Sequence, residues 1–440
     1  MSQPKTNPEL TQNSPVAQDI FNFTEYTDPC IKCGKCIPVC TIHNVNADEV
    51  TSPRGFLDLL GAYQNGKLEL DKNAKDIFES CFLCTNCVDV CPKSLPTDMV
   101  IEQVRNDIRK KYGLAFFKRA FFYLLRHRFT MDVLFKMGYV FQTCGFKIRA
   151  EIDSMQPRFN LPLIKKDRLL PSMGKTSFLN ANPEQISNGG KRKVAIFIGC
   201  LANYNYTEIG KSLLSILEHL EIDSMIPKKQ LCCGAPAYFT GDFDTVDHNA
   251  KKNIEYFESF MDDVEAIIVP EATCSAMLKV DYEHFFHDQP EWFERARKVK
   301  SKIFMATEWL EGHTHLATLL ASKEKSTMTV TYHDPCHARK MQGIYEEPRK
   351  LIDQNYVIKE MSDSNACCGF GGVTMQTEKY HFAKAAGIPK AAMIKNSGAQ
   401  IVSAECSACR MQINNSMHDA GVETIFKNPI ELIAEALNGK

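Results

Sequence analysis

Between Cys30 and Cys40 the chain reads CIKCGKCIPVC, and between Cys81 and Pro92 it reads CFLCTNCVDVCP. Both runs carry C-x2-C-x2-C-x3-C spacing, and the second begins 51 residues after the first. In such a run three cysteines hold three corners of one [4Fe-4S] cube and the fourth ligates a second cube. The chain then crosses between the clusters twice. Cys30, Cys33, Cys36 and Cys91 serve one cluster; Cys81, Cys84, Cys87 and Cys40 serve the other. Zinc sites instead use separated C-x2-C pairs and leave no place for a third closely spaced cysteine. Thr41 follows Cys40 where Pro92 follows Cys91, which alters the chain exit and removes no ligand.

A second, longer repeat occupies the rest of the sequence. KVAIFIGC ends at Cys200 and MTVTYHDPC at Cys336; LCCGAP supplies Cys232 and Cys233, and ACCGFGG supplies Cys367 and Cys368. PEATCSAM then carries Cys274, and SAECSAC carries Cys406 and Cys409. Met277 stands where Cys409 stands, so the first copy offers four thiolates at most, enough for a cube or left as a remnant that stabilises the fold. His333 and His337 flank Cys336 and read as hydrogen-bond donors or packed residues beside the ligands. Gly369 lets the backbone approach sulfide, and GFGG lacks the lysine and serine or threonine of a phosphate loop.

The set Cys336, Cys367, Cys368, Gly369, Cys406 and Cys409 resembles the cysteine-rich domain first recognised in heterodisulfide reductase. That resemblance implies a further [4Fe-4S] cluster, cubane or non-cubane, held by the five cysteines. The two C-x2-C-x2-C-x3-C runs are those of a bacterial ferredoxin. From about residue 25 onward the chain resembles the iron-sulfur subunits of flavin-dependent dehydrogenases. The forms it is similar to are the glycolate oxidase iron-sulfur subunit and the corresponding iron-sulfur subunits of anaerobic glycerol-3-phosphate dehydrogenase and of heterodisulfide reductase. GCLANYNYTEIGKSLL and CSACRMQI are similar to the glycerol-3-phosphate form. The implied function is electron transfer from a partner FAD-containing dehydrogenase subunit that oxidises glycolate or lactate, toward a membrane quinone. Cleavage of a disulfide at the C-terminal cluster is the alternative from another class.

The elements that must position these cysteines follow from pattern. Apolar residues at helical spacing predict helices between the two runs and at TDMVIEQVRNDIRKKYG. In the second repeat, β-rich runs that lead into cysteines alternate with helical segments, the pattern of βαβ units around a parallel sheet. The expected fold class is α+β multidomain, with a helical two-[4Fe-4S] ferredoxin-like N-terminal domain followed by two α/β cysteine-rich domains. We divide the 440 residues into a disordered tail at 1–18, a two-cluster ferredoxin-like domain at 19–112, a basic aromatic helical segment and linker at 113–190, a degenerate cysteine-rich domain at 191–322 and a complete one at 323–440.

Residues 114–148 are rich in phenylalanine and interrupted by Lys118, Arg119, Arg126, His127 and Arg128. Those charges forbid a spanning helix and suit one lying at a membrane surface, or a connector packed on the next domain. Cys144 reads as a packed small hydrophobe. The acidic segments FMDDVEAI and DYEHFFHDQPEWFERARK read as solvated helix faces. A net charge of -1 offers no footprint for nucleic acid. Eighteen cysteines in a long chain without an apolar leader point to a reducing cytoplasm, peripheral to the inner membrane. No flavin or nicotinamide fingerprint and no catalytic residue stand out, so FAD is expected only on the partner.

Overall fold

The computed structural model describes residues 21–439; the expected tail at 1–18 lies outside them. The N-terminal unit is helical. Helix Pro53–Gln64 is capped by Ser52, whose hydroxyl accepts from the Gly55 amide, and helix Lys72–Phe78 by Asp71, whose carboxylate accepts from Ala74. Both fall between the cysteine runs, and helix Thr97–Tyr112 follows the second. Their apolar faces meet around Phe56, Leu60, Phe78, Val100 and Val104. The first run passes directly into helix Thr41–Asn46, whereas Pro92 turns the second away.

The two cysteine-rich units share one sheet topology. In the first, strands Asp223–Met225, Lys193–Ile196, Ile267–Val269 and Ile303–Met305 lie side by side in parallel, with Gln185–Ile186 added antiparallel at one edge. In the second, Val357–Ile358, Thr329–Tyr332, Ile401–Ser403 and Ile425–Lys427 repeat the order 2-1-3-4. Strands buried on both faces need continuous apolar runs, which IIV and VAIFI supply. Cys200 and Cys336 each open the helix after the first strand, and Cys274 and Cys406 follow the third. They therefore collect at the C-terminal edge where the connections diverge, the usual ligand position in an open α/β sheet.

The units are interlocked. Helix Pro429–Leu437 of the second unit buries Ile430, Ile433 and Ala434 against the first unit's Leu213, Ile216 and Leu217. The stretch read as a linker is a packed strap. Phe146–Arg149, Ser154–Pro157 and Leu170–Pro171 form an antiparallel sheet, and Asn415 brackets Leu169 by accepting from its amide at 2.8 Å and donating to its carbonyl at 2.7 Å. Its prolines and polar residues hid the pairing because the strands are only two to four residues long.

The helical unit docks on both others. Arg105 donates to the carbonyls of Phe78 at 3.0 Å, Cys81 at 2.7 Å and, on the first cysteine-rich unit, Phe239 at 2.7 Å. Gly241 lies beneath the same helix with φ +81°, and a Cβ there would stand 2.4 Å from the Arg105 carbonyl carbon. Only glycine tolerates both the left-handed backbone and this approach. Gly241→Ala should therefore lower stability by more than about 2 kcal/mol and expose the Thr97–Tyr112 helix to faster amide exchange, with the cysteine-rich units less affected.

Candidate metal centres

Four sulfurs gather at each of two cavities in the helical unit. Cys40, Cys81, Cys84 and Cys87 line one, together with Thr97 and Asp98; Cys30, Cys33, Cys36 and Cys91 line the other, with Cys87 on the wall between them. None of the described cysteines forms a disulfide. The backbone repeats the sequence repeat. Lys32 and Leu83, each just before the second cysteine of a run, have φ of 55° and 51°; Gly34 and Thr85, just after it, have 75° and 56°. Left-handed leucine, lysine and threonine are strained, and the shape persists where it turns amides toward a ligand. The Leu83 amide already donates to Cys81 Sγ at 3.4 Å. Donor chemistry and backbone both fit iron-sulfur cubes.

The second cysteine-rich unit brings Cys336, Cys367, Cys368, Cys406 and Cys409 together. Cys368 Sγ and Cys409 Sγ lie 3.5 Å apart, the Cys409 amide donates to Cys406 Sγ at 3.4 Å, and the Gly369 amide donates to Cys367 Sγ at 3.3 Å. Gly371 and Gly372, in contrast, face Phe82 and Phe239 of the docked neighbours. Cys367 also meets Cys84 of the helical unit, so this site adjoins one of the two ferredoxin-type cavities.

Cations surround the second site. Lys340, one helical turn after Cys336, donates to the Asn365 carbonyl at 3.1 Å and faces Cys84, Cys336 and Cys367. The buried Lys390 ammonium donates to the carbonyls of Asp363 at 2.8 Å and Ser364 at 3.4 Å. The hydrogen bond from Cys367, aided by the Lys340 charge, pulls the Cys84 and Cys336 thiols below their usual range. His333 is fully buried, with Nδ1 3.2 Å from the Ser364 carbonyl. His337 stacks on Phe239 at 5.3 Å, a docking contact between units. Sequence reasoning missed both lysines, although the four-residue step from Cys336 to Lys340 was there to be read.

The first cysteine-rich site differs in charge. Cys200, Cys232, Cys233 and Cys274 form a continuous chain of thiols, with Cys233 and Cys274 3.4 Å apart. The hydrogen bond from Cys232, then burial, hold the Cys200 thiol up, and the carboxyl of Glu271 adds to both; Arg128 lines the cavity beside Cys200 and Cys232. Met277 is fully buried and its methyl lies beside Gly234. A short π-helical segment, Met277–Asp281, begins at this methionine.

That segment carries a residue the pattern misplaced. Asp281, in a stretch read as a solvated face, is buried, and its Oδ2 has no hydrogen-bond partner among the described residues. It opposes Glu102 and Asp98 of the docked helix, where Tyr238 also bonds to Glu102. Docking the helical unit is what buries these carboxyls. Lys118 and Arg128 likewise point inward, Lys118 to Thr374 at 3.0 Å and Glu378 at 2.5 Å, and Arg128 to the Lys228 carbonyl at 2.8 Å. Cys144, expected to be packed, is exposed.

Comparison with known proteins agrees with this geometry. The profile of the 4Fe-4S dicluster domain matches residues 26–95, and that of the Cysteine-rich domain matches 194–279 and 330–414. A Bacillus subtilis protein named "Probable glycolate oxidase iron-sulfur subunit" is 30% identical over 355 residues, 78% of this chain and 79% of its own. The chain belongs to the glycolate oxidase iron-sulfur subunit family. It is an iron-sulfur protein of that family, with the helical unit as its dicluster domain. Lactate utilization protein A of Bacillus cytotoxicus is 31% identical across 99% of its length and 56% of this chain. A crystal structure of a hypothetical protein from Helicobacter pylori shares the fold, with a TM-score of 0.52 at 11% identity, covering 96% of this chain and 76% of that one.

Burial first, and then the facing carboxylates Asp281 and Asp98, raise the Glu102 pKa well above the carboxylate range. A carboxyl whose folded pKa is raised stabilises fully below its unfolded value, and that contribution is lost as pH rises toward the folded value. Stability should therefore fall as pH is raised above the ordinary carboxylate range, and Glu102→Gln should flatten the fall by up to about 1.4 kcal/mol per pH unit, read from urea midpoints.

Proposed function

We propose that this chain is the electron-transfer subunit of a flavin-dependent 2-hydroxyacid (glycolate or lactate) oxidase complex. It would receive electrons from an FAD-containing partner and deliver them toward the membrane quinone pool. The observation that carries this reading is the meeting of Cys84 and Cys367. It sets the cavity of Cys40, Cys81, Cys84 and Cys87 against the five-cysteine site, with Lys340 between them.

In this reading Cys30, Cys33, Cys36 and Cys91 hold one [4Fe-4S] cluster and Cys40, Cys81, Cys84 and Cys87 a second. Cys336, Cys367, Cys368, Cys406 and Cys409 hold a third, of cubane or non-cubane form. Such clusters exchange single electrons with little rearrangement of their thiolates. The chain's own residues set the conditions. Backbone amides at Leu83, Gly369 and Cys409 donate to sulfur, Lys340 and Lys390 offset thiolate charge, and docking brings Cys84 against Cys367. The names of the relatives support a hydroxyacid as the partner's substrate.

The paired helices Phe116–Arg126 and Arg128–Gly145 supply the membrane face. Their inner residues Phe122, Leu125 and Met131 pack on the first cysteine-rich unit. Phe116, Phe129, Val140 and Phe141 are more than 60% exposed, and Arg119, His127 and Lys136 are exposed with them. An apolar face edged with cations suits an anionic lipid surface. No described helix is long and apolar enough to cross a membrane.

A cleft of about 470 Å³, lined by Lys340, Asn365, Cys367, Asn86 and Pro389, favours a second reading in which a small disulfide reaches the five-cysteine site directly. Anaerobic co-purification separates the two. The expected result is a bound flavoprotein bleached by glycolate or lactate, with electrons appearing on this chain and no response of its EPR spectrum to disulfide. Bleaching by glycerol-3-phosphate alone would assign the partner to the polyol class. Phe129→Ser with Phe141→Ser should reduce co-sedimentation with phosphatidylglycerol vesicles at least about tenfold and leave iron content unchanged.

A further inference from the structure

The two cysteine-rich units keep four cysteines in common: Cys200 with Cys336, Cys232 with Cys367, Cys233 with Cys368, and Cys274 with Cys406. The first unit has lost the fifth, since Met277 replaces Cys409. It differs at one further position that faces the same place. His333 stands three residues before Cys336, and Phe197 stands three residues before Cys200. Both continue the first strand and occupy equivalent backbone positions. The His333 amide donates to the Ser403 carbonyl on the third strand at 2.9 Å, as Phe197 donates to Ile268 at 3.0 Å. The unit without the fifth thiol thus also lacks the imidazole.

In the second unit these two residues converge. One ring nitrogen of His333 and the sulfurs of Cys368 and Cys409 lie within 4.8 Å of one another, all three side chains buried. The 3.5 Å between the sulfurs is close to the separation of about 3.8 Å that two thiolates on one tetrahedral ion adopt at metal–sulfur distances of about 2.3 Å. His333 Nδ1 lies 3.2 Å from the Ser364 carbonyl. A nitrogen facing a carbonyl must carry the proton, which leaves the lone pair on Nε2. That Nε2 makes no well-formed hydrogen bond among the described residues, and the imidazole's other close neighbour is the Cys368 sulfur itself. Metal-bound histidines have this arrangement: the far nitrogen donates to a carbonyl and the near one is free.

The Ser364 carbonyl is itself fixed. Lys390 donates to it and to the Asp363 carbonyl, and the Ser364 hydroxyl donates to Asp334 Oδ2 at 2.9 Å. Asp334 is in turn paired with Arg339 at 2.5 Å and Arg349 at 2.6 Å. The ring cannot turn without breaking this network.

We propose that His333 Nε2 is a direct ligand of the metal centre in the second cysteine-rich unit, beside Cys368 and Cys409, at a position where the first unit has no ligand. The inference rests on the reading of this site as an iron-sulfur centre and adds a nitrogen to its all-sulfur ligand set. A neutral imidazole, unlike an anionic thiolate, adds no negative charge to the centre, so the potential would lie above that of the same site with a cysteine at this position.

Full-length protein, purified anaerobically with [15N]histidine, tests this by pulsed EPR of the reduced C-terminal centre. The expected result is a strongly coupled nitrogen in the wild type, lost in His333→Cys. That variant should keep its iron, and its potential should shift downward. A wild-type centre with full iron and sulfide content but only weak nitrogen couplings overturns the assignment of His333 and leaves the cluster reading intact. Iron and sulfide sufficient for the dicluster domain alone overturn both. The wild-type spectrum decides the matter even if His333→Cys fails to fold.

Discussion

A single buried guanidinium holds the architecture together. Arg105 reaches the carbonyl that ends helix Lys72–Phe78, the carbonyl of Cys81 at the head of the second cysteine run, and the Phe239 carbonyl of a different unit. Burying a cation without a carboxylate costs several kcal/mol unless its donors are filled. Here carbonyl dipoles fill them, and each comes from a segment that must be in place before the others fit. The charge thereby registers the cysteine loop against the sheet domain. The sulfur of Cys84 comes to meet Cys367 because that register is fixed.

The two cysteine-rich units show what one topology does under different electrostatics. In the second, Lys340, Lys390 and His333 border the thiols; Cys336 and Cys368 are held below their ordinary range, while hydrogen bonds from their neighbours hold Cys367 and Cys409 above it. In the first, Glu271 is an ionisable neighbour, and the Cys274 thiol is pushed up to about 12: its hydrogen bond with Cys233 lowers it, but burial together with the charges of Cys200, Glu271 and Cys232 raises it further. Cations beside the sulfurs favour the thiolate form that binds metal, so Lys340 and Lys390 suit the second unit to a cluster alongside its ligand count. The first unit contributes its packed sheet and a docking surface for the helical unit.

Much of this was legible in the chain. Cysteine spacing is a covalent fact, so both ferredoxin-type runs and the duplicated units could be read directly, and alternating apolar runs and helical stretches gave the parallel sheets. What escaped were features that need two distant segments at once. Asp281 reads as surface because its cover, the helix bearing Glu102, lies some 180 residues earlier. The strap from Phe146 to Pro171 reads as loop because its short strands are stabilised by Asn415 and Arg410 from another unit. Lys118 and Arg128 looked like part of a lipid-facing set, yet each finds an internal acceptor that no periodicity could reveal. His333 is the intermediate case: the YHDPCH motif marks it, but only comparison with Phe197 in the other copy, together with the Ser364 contact, sets it apart from His337.

Helix Pro429–Leu437 covers the apolar face of helix Thr207–His219, which lies more than 200 residues upstream. During synthesis that face stays bare until residues 429–437 have left the ribosome, long after the sheet it belongs to is able to form. The first cysteine-rich unit therefore cannot hide all its apolar surface by itself, and a product that stops short of this helix would present a sticky stripe to its neighbours.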